Sequence, residues 1–471
     1  MKRIKIFLVT MASASAAFAV DIDIKPGELE GLIDRKEITG SSLVMTGSID
    51  ARDLAAMENF PSGLTDLDIS KVNIEKLTLS TKKYFGKTLF AEGELPGYTF
   101  FKSGLETVVL PSSVKSIGEA AFSASSLQDI VIPEGVESIG DYAFYGCQDL
   151  KSVTLPSSLK EIGKGAFGNC HNLQIINIAG SNITELPAKT FAGCVQLESI
   201  TLPSTVVKIG KEAFTHTMIK ELNLNNVREF EDYALSGMPY LETLTINPEV
   251  AEKANGLLMD DISLVSLTGV PENLPAYFAA NCTSMQTNDM VGSVNTIGRY
   301  ALANQTGSES VVLGRGVQAI ERGAISGNGL LSIDVTALGS TIPVVNENTF
   351  EGIDQKTVSL IVNDDDYDAW ANAPYWQEFI LKKASATVVN PIEMGTSDEI
   401  FIRINGGMLS IESGYVLTDV KIYSTDGRLL HSAVPNQTSL QIPTSDLTTG
   451  ILIVKATNEQ SQTKSTTVML K

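Results

Sequence analysis

Cysteine is scarce in this chain, with four in 471 residues. That is too few for a disulfide framework in a protein of this length. Histidine is scarcer still, and His171, His216 and His431 are scattered. Without a CxxC pair or clustered histidines no metal site is readable, and no cofactor is expected. Positive charge is also short. Against 55 Asp and Glu stand 35 Lys and Arg, a net charge of −20. No basic surface is available to release phosphate counterions, which argues against a nucleic-acid partner and against adsorption on anionic lipid. The one N-terminal apolar run is too short and wrongly flanked to cross a bilayer, so no transmembrane segment is expected. Hydrophobic residues still make up 43 % of the chain. That is the content of a packed protein, not of a disordered one.

Residues 1–19 read as a signal peptide. Lys2, Arg3 and Lys5 precede the apolar stretch IFLVTMASASAAFA, and Ala17-Phe18-Ala19 offers a small-residue cleavage site before Val20. The chain is therefore expected to be exported, to the cell surface or the medium, with retention in the periplasm as the other outcome. No cysteine lies near the cleavage point, so a lipid anchor is not expected.

What the chain has in abundance is repetition. Leu105, Leu127, Leu150, Leu173, Leu197 and Ile219 open near-copies of one pattern, such as LQDIVIPEGVESIGDYAFYGCQD and LKSVTLPSSLKEIGKGAFGNCHN. A period of 22 to 24 residues signals a solenoid. Each copy holds two strand-like pieces. The first (VVLP, IVIP, VTLP, ITLP) alternates, with Val108 and Leu110, Ile130 and Ile132, Val153 and Leu155, Ile200 and Leu202 inward. Its proline closes the piece, because proline has no N–H for the next ladder bond. The second piece (VKSIG, VESIG, LKEIG, VVKIG) ends in Gly118, Gly140, Gly163 or Gly210, expected at a turn of positive φ. A helical turn then delivers Phe122, Phe144, Phe167, Phe191 or Phe214, which should stack as a column. The column should continue as Leu235, Leu258, Phe278, Leu302, Ile325 and Phe350. That makes about eleven coils, least regular over 247–300. Cys147, Cys170 and Cys194 each follow a column Phe by three residues. A ladder of small buried thiols is expected there, with a disulfide between neighbours as the alternative.

Both ends of such an array need covers. Residues 20–104 read as an N-terminal cap with the first ladder strands: a short helix in GELEGLI, a strand in SSLVMTGSI, a helix capped by Asp50, and the strand LTDLDIS. Residues 105–383 carry the repeats and a C-terminal cap built on Trp370, Tyr375, Trp376 and Phe379. A linker follows at 384–397. Residues 398–471 read as seven short strands, with Asp426-Gly427 as a hairpin signal. That suggests a small all-β, immunoglobulin-like sandwich.

The repeat L-x-x-I-x-L-P-x-x-V-x-x-I-G-x-x-A-F-x-x-C-x-x-L resembles the BspA-type leucine-rich repeats of Bacteroidetes surface proteins, closely over 105–219 and more loosely to about residue 383. The resemblance implies a leucine-rich-repeat solenoid, a parallel β-ladder with short helical turns. It also implies a secreted or surface protein of binding and adhesion, some relatives engaging host matrix proteins. The tail resembles the type A C-terminal sorting domain of the type IX (Por) secretion system. The matching pieces are 420–423 with Asp426-Gly427-Arg428, then LTTGILIV, then the basic end at Lys471.

Candidate sites are few. Gly314-Arg315-Gly316 with Ala319 spells a dinucleotide fingerprint, but it aligns with a repeat turn and no βαβ unit follows. Asp364, Asp365, Asp366 and Asp368 lack the alternating ligands and closing Glu of a calcium loop, and read as a solvated cap loop with a helix N-cap. Thr107 and Val109, Asp129 and Val131, Ser152 and Thr154, Ile175 and Asn177, Ser199 and Thr201, Glu221 and Asn223, and Thr243 and Thr245 point outward and read as a small, polar face, with Thr107, Asp129, Thr154, Asn177, Thr201, Asn223 and Thr245 as the candidate ligand contacts. Such small polar rows serve solubility and cross-strand bonding, or a ligand laid on a flat face. No nucleophile–base set can be assembled from the chain, so catalysis is not expected. The expected function is non-enzymatic binding of a protein or glycan at the cell surface. A structural or accessory subunit of an outer-membrane assembly is the alternative, and a carbohydrate-active enzyme hidden in 247–300 the third reading.

Overall fold

The computed structural model describes residues 5–7, 19–285, 291–292, 294–305, 309–327, 329–387, 400–405, 408–424, 428–443, 447, 450–460 and 463–470. The hairpin signal at Asp426-Gly427, Lys471 and most of the leader lie outside them. The chain divides into two compact units, Met1–Ala384 and Ser385–Lys471.

In the first unit the regular coils contribute one strand to a front ladder and a two-residue strand to a back ladder. The front ladder runs in parallel from Ala19–Ile24 through Ser42–Ile49, Asp66–Ile74, Thr107–Val109, Asp129–Val131 and Ser152–Thr154 to Ile175–Asn177. It therefore starts two strands before LTDLDIS. The middle residue of each short strand (Val108, Ile130, Val153, Ile176) is buried while its neighbours face outward. The back ladder pairs Glu94–Leu95, Ser116–Ile117, Ser138–Ile139 and Glu161–Ile162 in register, and resumes in two further three-stranded sheets.

The ring column is present, and it begins one coil earlier than the sequence pattern suggests. Phe100, Phe122, Phe144, Phe167, Phe191 and Phe214 stack with centroids 4.9, 5.0, 5.1, 5.8 and 5.9 Å apart. All but Phe100 have no exposed surface. One expectation is corrected. The Cys170 thiol donates to the carbonyl of Phe144 (3.1 Å) and that of Cys194 to Phe167 (3.1 Å), each the column residue one coil back. By the same register Cys282 donates to Leu258 (3.0 Å) and the Gln305 amide to Ala279 (3.1 Å). Ala279, not Phe278, thus holds the column position. Phe278 sits one residue earlier and is also buried.

The repeat glycines also differ from expectation. Positive φ falls two residues before and two residues after the column position, as at Tyr142 (55°) and Gly146 (71°), or Tyr300 (53°) and Asn304 (61°). Gly118, Gly140, Gly163 and Gly210 are not among the left-handed residues. Their lack of a side chain serves close approach instead. A Cβ on Gly140 would lie 2.7 Å from the Glu119 nitrogen and 2.8 Å from the Gly118 carbonyl carbon, both backbone atoms of the preceding coil. Gly140→Ala is expected to cost about 1–3 kcal/mol or more, because neither backbone can yield without breaking ladder bonds. A denaturation midpoint matching the native chain would refute this account.

The array ends where Phe350, Trp370, Trp376 and Phe379 close on one another, edge-to-face with centroids 4.8–5.1 Å apart for the Phe350–Trp376, Phe350–Phe379 and Trp370–Trp376 pairs. The Trp370 indole donates to the Gly339 carbonyl at 2.9 Å. Tyr375 does not join them. It adopts φ 67° and points to solvent. In the Asp364–Asp366 turn, Asp366 stands at the N-cap of the Tyr367–Ala371 helix, and its carboxylate accepts from the Asn363 side chain (3.0 Å). At the other end Asp50 caps the Ala51–Ala56 helix as expected. Asp53 accepts from the backbone N–H of Gly27, Leu29 and Asp50 (2.6–3.0 Å), tying the Leu29–Asp34 helix to it.

The second unit is antiparallel. Its longest strand, Met408–Ser424, pairs with Ile400–Asn405 and Gln437–Pro443 along its first half, and with Leu429–Ala433 and Gly450–Asn458 along its second. Two sequence strands, MLSIES and DVKIYS, are therefore one, because Gly414 to Thr418 stay extended rather than turning. Ile411, Leu417, Val420, Ile422, Val454 and Ala456 form part of its separate apolar core.

Candidate functional site

The outward positions of the front ladder form the face on which a ligand could rest. Cross-strand pairing sorts them into two rows. One row runs Asp66, Thr107, Asp129, Ser152, Ile175; the other runs Asp68, Val109, Val131, Thr154, Asn177. Thr107, Asp129, Thr154 and Asn177 share this one sheet and are all exposed. The first row is tied internally, by Thr107 Oγ1 to Asp66 Oδ1 (2.6 Å) and Ser152 Oγ to Asp129 Oδ1 (2.5 Å). Part of its polarity is thus spent within the sheet.

The other three candidates are not brought to that sheet. Asn223 and Thr245 pair across a separate three-stranded sheet, where Thr245 is half-buried. Thr201 is exposed but belongs to no strand. The ladder pauses there: Ser199 to Thr201 take part in no strand pairing, and front pairing restarts at Glu221–Leu224. Ile200 and Leu202 are only partly buried there, unlike Ile130 and Ile132 of the regular coils. The coil opened by Leu173 is the longest of the regular set, and its Ile178-Ala179-Gly180 replaces the Leu-Pro pair of its neighbours.

The expectation of a small, polar face is corrected. Val109, Val131 and Ile175 are 50 %, 67 % and 64 % exposed and lie beside the polar candidates. Period-2 alternation already marks them as outward, so the signal was available. The face is mixed in both rows: Ile175 closes the row of Asp66, Thr107, Asp129 and Ser152, and Val109 and Val131 stand between Asp68 and Thr154 in the other.

Chemistry elsewhere is quiet. All four cysteines are free and buried. Burial pushes the Cys194 thiol up to about 12 and those of Cys170 and Cys282 well up. The Cys170 thiol beside it lowers that of Cys147, but none of the four has exposed surface, so a thiol-specific aromatic disulfide is expected to leave the native chain unmodified and to titrate all four thiols after unfolding. Fast labelling of the folded protein would contradict the buried ladder. Among the described residues no group of three or more His, Cys, Asp or Glu is placed to hold a metal ion. Gly314-Arg315-Gly316 forms the turn between Ser310–Val312 and Ala319–Ile320, and a Cβ on Gly316 would lie 2.9 Å from Asn295 Oδ1 of the preceding coil. Its glycines serve coil packing; no helix follows to receive a pyrophosphate. No helix among the described residues is long and apolar enough to cross a membrane.

Comparison with known proteins agrees with this architecture. The model of the BspA-type leucine-rich-repeat region matches in six copies, over residues 93–187, 178–274 and 261–357. That of the secretion-system C-terminal sorting domain matches residues 396–470, which points to export to the cell surface or the medium. No curated protein matches. A leucine-rich-repeat protein from Bacteroides ovatus is 21 % identical, with 81 % of this chain and 98 % of that chain covered and a TM-score of 0.53. This likeness concerns the fold. The leucine-rich-repeat protein of T. pallidum is 27 % identical over 34 % of this chain and 78 % of its own (TM-score 0.30). A leucine-rich cell-surface protein from Faecalibacterium prausnitzii is 17 % identical over 63 % and 87 % (TM-score 0.34). With its coils, its two ladders and its family model spanning more than half of the sequence, the chain belongs to the BspA-type leucine-rich-repeat surface proteins and ends in a secretion-system sorting domain.

Proposed function

We propose that this protein is an exported, non-enzymatic recognition protein that holds a protein or glycan ligand at the cell surface on the outer face of its front ladder. The observation that carries the reading is the mixed face of 107–177. Exposed Val109, Val131 and Ile175 stand beside Asp129, Thr154 and Asn177 on one rigid sheet. Outward apolar side chains on a sheet face fill no core, and such patches commonly mark contact surfaces. The sorting domain and the signal-peptide-like leader supply the route to the surface.

Immobilised matrix proteins and glycans, screened with the full chain and with Val131→Asp, test this. Capture by the native chain and loss in the variant is the expected result, since a charge placed beside Val109 must be desolvated on contact. Complete absence of capture would favour a purely architectural role. A defined hydrolytic activity would overturn the non-enzymatic reading.

A further inference from the structure

The turn ridge, which is neither the front nor the back ladder, carries an aromatic patch that folding does not account for. We infer that Tyr98, Phe101, Tyr142 and Tyr145 form a platform for a neutral β-linked glycan chain. This rests on the reading of the chain as a recognition protein, but places the sugar on a surface separate from the ladder face.

Local geometry builds the patch. Tyr98 and Tyr142 occupy the left-handed position two residues before the column (φ 63° and 55°). A tight turn bonds Phe101 N to the Tyr98 carbonyl (3.1 Å) and Tyr145 N to that of Tyr142 (2.9 Å). Each turn thus presents two rings together, edge-to-face, with centroids 5.7 Å apart for Tyr98–Phe101 and 5.6 Å for Tyr142–Tyr145. The next coils make room for them. Glycine follows beneath the second pair, where a Cβ on Gly165 or Gly168 would lie 2.8 or 3.0 Å from the Tyr142 or Tyr145 ring. The first pair stands beside the small Ala120 and Ser123 of the following coil. Tyr98, Phe101 and Tyr145 remain 52 %, 42 % and 38 % exposed.

Three features select the ligand class. First, the two ring pairs are two coils apart, about 10 Å along the array, which suits alternate pyranose rings of an extended chain. Second, the phenol hydroxyls are held to the side: Tyr98 donates to Glu119 Oε1 (2.9 Å), and Tyr145 accepts from Asn169 Nδ2 (2.7 Å). These partners flank the rings with groups able to bond sugar hydroxyls, while the Glu119 carboxylate disfavours an anionic glycan. Third, the patch is small. Four partly exposed rings offer on the order of 300 Å², well short of the roughly 800 Å² per partner of a stable protein interface. Farther along the ridge the tyrosines are covered: Arg299 lies over Tyr277 (5.5 Å), which stacks on Tyr300 (5.4 Å), and Lys211 lies over Tyr233 (5.2 Å). At the patch itself Lys102 lies 5.0 Å over Phe101, and among the described residues no cation covers the tyrosine rings there.

The test titrates the full chain with neutral β-linked hexasaccharides of glucose, xylose and mannose, with polygalacturonate as the anionic control. Near-UV difference spectra report the tyrosines, and calorimetry reports affinity. At least one neutral hexasaccharide should bind and perturb the tyrosine spectrum, and Phe101→Ser with Tyr145→Ser should weaken it about tenfold or more. Val131→Ser on the ladder face should leave it unchanged. Should the double variant lose its melting transition, Tyr145→Ser alone serves. The inference falls if no neutral hexasaccharide binds, if only polygalacturonate does, or if the ridge variants bind like the native chain. Loss in Val131→Ser alone would also sink it while sustaining the ladder-face reading.

Discussion

Phe167→Ala should destabilise the first unit by about 3–5 kcal/mol, the cost of removing a buried aromatic ring where the surroundings cannot collapse. The ring is wholly buried and stacks on Phe144 at 5.1 Å and Phe191 at 5.8 Å. Both neighbours are bound into ladders on two sides, so neither coil can close on the gap. In a solenoid each coil contacts only its neighbours, so the loss concentrates where the column is continuous. Phe100→Ala, at the head of the column with one stacked neighbour, should cost less. Urea unfolding followed by circular dichroism, with the slope checked for a change in cooperativity, measures both. A Phe167→Ala cost below about 1 kcal/mol would mean the column is not the core described here.

The second large effect concerns Asp261. It occupies the ladder position of Cys170 and Cys194, has no exposed surface, and accepts from the Met238 N–H at 2.7 Å through Oδ1. Its Oδ2 finds no partner. Burial drives the carboxyl well above its usual value, with the Asp260 charge adding to the rise. The sign follows from proton linkage. The unfolded chain loses this proton near the ordinary carboxylate value, about pH 4, while the folded chain keeps it. Stability from the neutral form is therefore fully present below that value and declines as pH rises toward the raised folded one. Asp261→Asn keeps the acceptor for Met238 and adds a donor where the other coils carry thiol donors to the preceding column carbonyl. It should stabilise the protein by on the order of 1–3 kcal/mol near neutral pH and flatten the decline. Melting temperatures compared between about pH 5 and pH 8 decide it. Equal slopes in both proteins would show that Asp261 carries no unmet burial cost.

Much of the molecule is legible in the sequence. The repeat of Leu, Ile-x-Leu-Pro, Ile-Gly and Ala-Phe marked the coil, its two strands and its core column, because period-2 alternation and a fixed spacing are local properties of a sequence. The thiol ladder followed from Cys147, Cys170 and Cys194 sharing one phase, and each is buried and free. Ala279 takes the column position from Phe278, which the ladder hydrogen bonds show directly and which the three-residue spacing to Cys282 already carries in the sequence. Asp50 as a helix cap is readable from its own acceptor side chain ahead of the helical run ARDLAAMENF. Alternation marks Val109, Val131 and Ile175 as outward together with the polar residues, but not how much of their apolar surface stays exposed.

Other features arise only between coils. Gly140 and its equivalents face the backbone one repeat away, a distance no local pattern contains, so a glycine called for by close approach looked like one called for by a turn. The pause of the front ladder at Ser199 to Thr201 likewise depends on how two coils meet, since ITLP is as good a strand as VTLP taken alone. The same holds for the ridge: Tyr98 and Tyr142 are 44 residues apart in the chain, and stacking of coils at about 4.8 Å each is what makes them neighbours on one surface.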